Sequence, residues 1–197
     1  SRASGLVAFA FAWVLSFLGI AVRLPGLKSI LRPAYSLSVH YTLAVQTLFF
    51  ALFHGISFLF DPFILPTLSD AFIPFHISAS KIDPLSLALG ILALYGFIML
   101  VITSWIKPMI PQRLWRITHF LNIFVYVAVV AHALLLGTDM QVPLYRNIFI
   151  GANIFLMSLL LINFALKLAG VIRRAIVDRQ STLETAPSVN LDTGSSS

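Results

Sequence analysis

Cysteine is absent from the 197 residues. Without a thiol the chain forms no disulfide, no thiolate zinc site and no iron–sulfur cluster. Charge is scarce too: Asp, Glu, Lys and Arg make up 10% of the chain, against about 25% in a soluble domain. In their place stand 59% hydrophobic residues and a mean hydropathy of +0.95. That balance excludes a water-soluble enzyme, a disordered chain and a nucleic-acid-binding domain. The pI of about 10.1 does not reverse this, because the 13 Lys and Arg sit between long apolar runs rather than on one basic face. No internal repeat recurs at a fixed period.

Five apolar runs reach the roughly 20 residues that a bilayer-spanning helix needs. They extend from about Leu6 to Val22, Leu37 to Phe60, Leu85 to Ile106, Leu114 to Leu136 and Ile148 to Ile172. Charge, Pro or Gly stops the first four: Arg23-Leu24-Pro25-Gly26, Asp61-Pro62, Lys107-Pro108 and Gly137-Thr138-Asp139. The first run lacks a small-residue cleavage site and its charge follows it, so it reads as a span rather than a signal peptide. The expectation is an all-α membrane protein, a bundle of five transmembrane helices over residues 1–174. Residues 175–197 are expected to form a disordered cytoplasmic tail, rich in Ser and Thr.

Basic residues divide unevenly between the two ends of the spans. Arg23, Lys28, Arg32, Lys107, Arg113, Arg116, Lys167, Arg173, Arg174 and Arg179 fall at one end. Arg2, Lys81 and Arg146 fall at the other, with Asp61, Asp70, Asp83 and Asp139. The positive-inside rule then makes the first end cytoplasmic and leaves the N-terminus outside. The expected location is a plasma (inner) membrane, crossed several times.

Four of the five histidines lie inside the spans. His40 and His54 are 14 apart on the second; His119 and His132 are 13 apart on the fourth. A single intramembrane histidine is readily explained by an interhelical hydrogen bond. Two pairs at matched spacing point to a ligand. The second and fourth spans run parallel, so His40 meets His119 at one depth and His54 meets His132 at another, about 20 Å away at 1.5 Å per residue. No carboxylate lies within a span to complete a zinc site. Haem iron needs only two axial ligands, and its apolar faces suit a dry bundle. The four histidines are therefore the expected axial ligands of two b-type haems, a transmembrane electron wire. At 100° per residue His54 falls about 40° from His40, on one face, but His132 falls about 140° from His119. The fourth span must tilt, tighten locally or present its two ligands at different azimuths.

These residues resemble the ferric reductase-like transmembrane domain shared by NADPH oxidases, ferric reductases and the haem subunit of methionine sulfoxide reductase systems. Arg23-Leu24-Pro25, Tyr35, His40 and His54 carry one part of the likeness. Trp115-Arg116-Ile117-Thr118-His119, Tyr126, His132 and Gly137-Thr138-Asp139 carry the other. The likeness extends from about Gly5 to Arg174. It implies six helices and a cytoplasmic N-terminus, so a first family helix is expected to be absent or cut away. It also implies FAD and NADPH, yet no Gly-x-Gly-x-x-Gly occurs in the chain. Those cofactors are expected only through a partner or a missing domain. The expected partners are membrane lipid, a cytoplasmic flavoprotein donor and an external acceptor: O2, ferric iron or a protein.

Arg116, Arg113 and Arg32 precede the first-layer histidines and are candidates to pair with haem propionates; plain topology explains them equally well. Tyr126, between the layers, is a candidate for the electron path, with a hydrogen-bonded core aromatic as the simpler account. His76 reads as a solvated loop residue, and Trp105 and Trp115 as interface anchors. A quinol-linked cytochrome b is the nearest alternative. It would want glycines in the histidine-bearing helices, where only Gly55 occurs. A haem-free membrane scaffold or transporter is the alternative of another class; a transporter would want intramembrane carboxylates or broken helices.

Overall fold

The structure is a computed structural model, and it describes residues 2–24, 27, 33–76 and 82–184, with side chains of 33–37 and 181–184 excluded. Among these residues the regular structure is all helical. The helices are α1 (Arg2–Ala21), α2 (Pro33–Phe58), a short α3 (Leu68–Phe72), α4 (Pro84–Trp105), α5 (Gln112–Phe120), α6 (Asn122–Leu136) and α7 (Pro143–Glu184). With α5 and α6 taken as one segment, five are long and apolar enough to cross a membrane. The protein is an all-α membrane bundle.

Local chemistry explains the breaks. Asp83 caps α4 by accepting from the Ser86 amide at 2.8 Å, with Pro84 in the first turn. The short α3 opens with a capping box: Thr67 accepts from the Asp70 amide and Asp70 from the Thr67 amide. Leu65 and Phe75 take positive φ of 50° and 65° in the connection between α2 and α4. That connection is tied to α4 by the Tyr95 hydroxyl, which donates to the Phe72 carbonyl at 2.6 Å.

Two spans depart from single helices of the expected length. The fourth span is interrupted at Leu121, whose amide bonds back to Thr118 at 3.1 Å, a three-residue step. Such a step winds about 20° further than an α-helical one. The sense is the one the 13-residue histidine spacing needs, but it falls far short of 140°, so the two rings leave α5 and α6 at different azimuths. The last span does not end near Ile172 but continues through residues 175–184, which were expected in the tail. Its residues keep helical hydrogen bonding where loss of structure was anticipated; residues 185–197 lie outside the description.

α1 packs along α2, and α4 along α6, as the two closest helix pairs. Both are antiparallel: Gly19 and Gly5 of α1 approach His40 and His54, while Gly90 and Gly96 of α4 approach His132 and Val125. α7 is fastened by polar bonds. Trp13 Nε1 donates to the Ala152 carbonyl at 3.1 Å and Asn163 Nδ2 to the Ile20 carbonyl at 3.4 Å. The large apolar side chains exposed on α2 are Tyr41, Val45, Phe49, Leu52, Phe53 and Ile56. At 100° per residue they form one stripe opposite His40 and His54. The apolar stripe faces lipid and the imidazoles face inward.

Candidate functional site

α2 and α6 are each packed chiefly on another helix, α1 and α4. Their imidazoles reach toward each other across the bundle. The His40 and His119 rings have centroids 6.5 Å apart, and the His54 and His132 rings 6.4 Å apart. The interplanar angles are 55° and 79°. Among the described residues, no three His, Cys, Asp or Glu side chains gather as a metal-ligand group; the imidazoles meet in twos.

That spacing has a chemical meaning. A metal–imidazole nitrogen bond is about 2.0–2.1 Å and the ring centre lies about 1.1 Å beyond the nitrogen, so two imidazoles holding one ion from opposite sides have centroids about 6.3 Å apart. Both pairs meet this condition. Rotation of either ring about the bond axis leaves it unchanged, so the two interplanar angles are equally compatible.

Second partners of the rings differ between layers. His132 Nδ1 lies 2.8 Å from the Ser86 carbonyl oxygen. A carbonyl only accepts, so Nδ1 carries the proton and Nε2 keeps its lone pair for a ligand. His40 bonds to the Leu15 backbone. His119 Nδ1 is buried and has no hydrogen-bond partner among the described residues, and the same is true of Trp115 Nε1. These two rings are stacked, with centroids 4.9 Å apart and 19° between planes. Lys107 Nζ stands 4.1 Å from the Trp115 ring centre. The first layer thus holds two unanswered ring nitrogens, of which Trp115 Nε1 is a donor, beside a cation, an arrangement that suits a carboxylate-bearing ligand.

The sequence candidates are distributed unevenly around this frame. Arg113 and Arg116 are exposed on α5. The basic charges felt at His119 are those of Arg23 and Lys107, and Arg23 is felt at His40 as well. Arg32 lies outside the described residues. Tyr126 donates its hydroxyl to Asn153 Oδ1 at 2.8 Å, and its ring lies 6.4 Å from that of Phe9. Trp115 is packed on a ring of the first pair. His76 is half exposed and lies 3.7 Å from the buried Asp70 carboxylate.

The sequence reading passed over Gly5, Gly19, Gly90 and Ser86. One signal was present: Gly5 and Gly19 are 14 apart, the spacing of His40 and His54 on the antiparallel neighbour.

A family model described as ferric reductase like transmembrane component matches residues 4–130. The match includes His40, His54 and His119 and stops two residues before His132. No curated protein and no solved structure matches the chain.

Proposed function

The chain belongs to the ferric reductase-like transmembrane family, and from that premise we propose that it is a two-haem transmembrane electron carrier. The observation that carries this reading is the pair of imidazole separations, 6.5 and 6.4 Å, each the span of one metal ion. His40 and His119 would hold the first haem, and His54 and His132 the second. A haem iron with two fixed imidazoles has no open coordination position and supplies one-electron transfer between its ferric and ferrous states.

The chain's own residues account for the rest. The lipid-facing stripe of α2 turns both of its histidines inward. Ser86 fixes the tautomer of His132, and Leu15 orients His40. Trp115 Nε1 and His119 Nδ1 would donate to a propionate, with Lys107 and Arg23 supplying the balancing charge. Layers 13 and 14 residues apart span about 20 Å of bilayer, so the donor and acceptor stand on opposite faces. The end rich in Lys and Arg would face the cytoplasm and dock a flavoprotein that brings the electrons from NADPH through FAD. O2, ferric iron or a partner protein would take them at the other face.

The test is the purified full chain in detergent. Pyridine-haemochrome assay should find two haems per polypeptide, and His54→Ala should remove one while the other is retained. A chain without haem, or with one haem that survives each single histidine substitution, refutes the reading.

A further inference from the structure

We propose that Gly5 and Gly90 are positioning residues for the second imidazole pair, bare backbone seats that hold His54 and His132 in place. The proposal rests on the reading that this pair carries a haem, and it names what sets the geometry of the pair.

Small residues commonly let membrane helices approach one another, so packing is the first account of any glycine here. The environments separate the glycines by what a Cβ would meet. At Gly96 it would lie 2.6 Å from Val125 Cγ2, a packing contact. At Gly151 and Gly170 it would meet nothing within 4 Å. At Gly90 it would lie 2.6 Å from both Cε1 and Nδ1 of His132. At Gly5 it would lie 2.9 Å from Cε1 and 3.0 Å from Nδ1 of His54. The two rings of the second pair thus occupy the space that a side chain would take on α1 and on α4.

Gly90 has a second function in that contact. In an α-helix the Ser86 carbonyl accepts from the amide of residue 90, four residues on. His132 Nδ1 uses the same oxygen at 2.8 Å. The ring reaches it across the face of residue 90, where any Cβ would stand against Nδ1. The missing side chain therefore opens the second lone pair of the Ser86 carbonyl. That bond in turn keeps Nε2 unprotonated. A glycine inside a helix costs about 1 kcal/mol relative to alanine, and here the seat is what that cost secures. At the first pair His40 likewise bonds to the Leu15 backbone, four residues before Gly19, but the seat is looser and the partner ring is held differently. Gly19 is 3.5 Å from His40 Cε1 by the same measure, an ordinary contact, and His119 leans on Trp115.

The experiment compares Gly5→Ala and Gly90→Ala with Gly19→Ala and Gly96→Ala in the full chain. Haem per polypeptide and the low-spin ferric electron paramagnetic resonance (EPR) spectrum are read for each. Gly5→Ala and Gly90→Ala should each lower the content from two haems to one, or keep two with one EPR signal displaced. Gly19→Ala should leave both signals in place, and Gly96→Ala should lower thermal stability with both haems retained. Two unchanged signals in Gly5→Ala and Gly90→Ala overturn the proposal. So does loss of the same haem in Gly96→Ala, which would make helix packing the cause. A wild-type chain without haem refutes the dihaem reading instead. The seat is then decided in the haem-free chain labelled with 15N-histidine: the bonded Nδ1–H signal of His132 should be lost or shifted in Gly90→Ala, and an unchanged signal overturns the seat.

Discussion

Tyr126→Phe separates a structural tyrosine from one that takes part in electron flow. Tyr126 lies seven residues after His119 and six before His132, between the layers. Its hydroxyl donates to Asn153 Oδ1 at 2.8 Å, and Asn153 Nδ2 donates to the Phe149 carbonyl at 2.8 Å. The phenylalanine keeps the ring beside Phe9 and removes only this link from α6 to α7. Interhelical hydrogen bonds in membranes average about 0.6 kcal/mol and reach about 1.7. The upper half of that range applies, because Asn153 Oδ1 is left without its donor in apolar surroundings. At about 1.4 kcal/mol per factor of ten, the folded-to-unfolded ratio should fall roughly 5- to 20-fold. Unfolding by SDS in mixed micelles, followed by circular dichroism, measures it. Asn153→Ala and the double variant should show non-additive losses, since both break one bond. Reduction of the second haem, followed by stopped flow, should stay within about twofold of wild type, because the phenolic proton is held by an amide with no basicity to take it. A tenfold slower reduction with unchanged stability would refute the argument and make the oxygen part of the path.

On the proposed reading the charge of Arg23 would favour the reduced iron at the first pair, so Arg23→Gln should lower that midpoint potential by on the order of tens of mV. Potentiometric titration of Arg113→Gln and Arg116→Gln should show smaller shifts, as both are exposed; a larger shift from Arg116→Gln would make it the principal charge partner. Asp83 is held below the usual carboxylate range, first by the Ser86 hydroxyl at 2.5 Å and then by the Ser86 amide at 2.8 Å. A lowered folded pKa stabilises above the ordinary value of about 3.9 and ceases to do so as pH falls through the folded value. Acid titration by circular dichroism should therefore show α4 loosening below that range, and Asp83→Asn should flatten the response; an identical profile in that variant would assign it elsewhere. On the proposed reading, in which a flavoprotein docks electrostatically on the basic end, its reduction of the chain should slow as salt rises; a salt-independent rate would argue against that dock.

The spans were legible because lipid imposes a coarse rule: about 20 apolar residues, stopped by charge or proline. The histidine spacings were legible for the same reason, as few ionisable groups are tolerated at that depth. Helix neighbours were not. Nothing in the composition says that α1 lies on α2 and α4 on α6, and the glycine seats depend on those contacts. The stacking of Trp115 on His119 was not legible, because it depends on the azimuth the two residues share, four apart on α5. Arg23 was legible only as a loop charge, because its approach to His40 and His119 depends on where α1 lies. The interruption at Leu121 had a signal in the 140° mismatch, but the mismatch is resolved mostly by the two rings using different supports.

Those different supports divide the molecule's chemistry. His132 is held by a carbonyl whose helix start is fixed by Asp83, and its ring lies on a glycine, so it has little freedom to turn. His119 has a stacked aromatic ring and an unanswered Nδ1, with Arg23 and Lys107 close enough for their charges to be felt. Positive charge favours the reduced state, so on the reading proposed here an electron is accepted most readily at the basic end. On the same reading the second pair, seated on Gly5 and Gly90, hands the electron on at the far end.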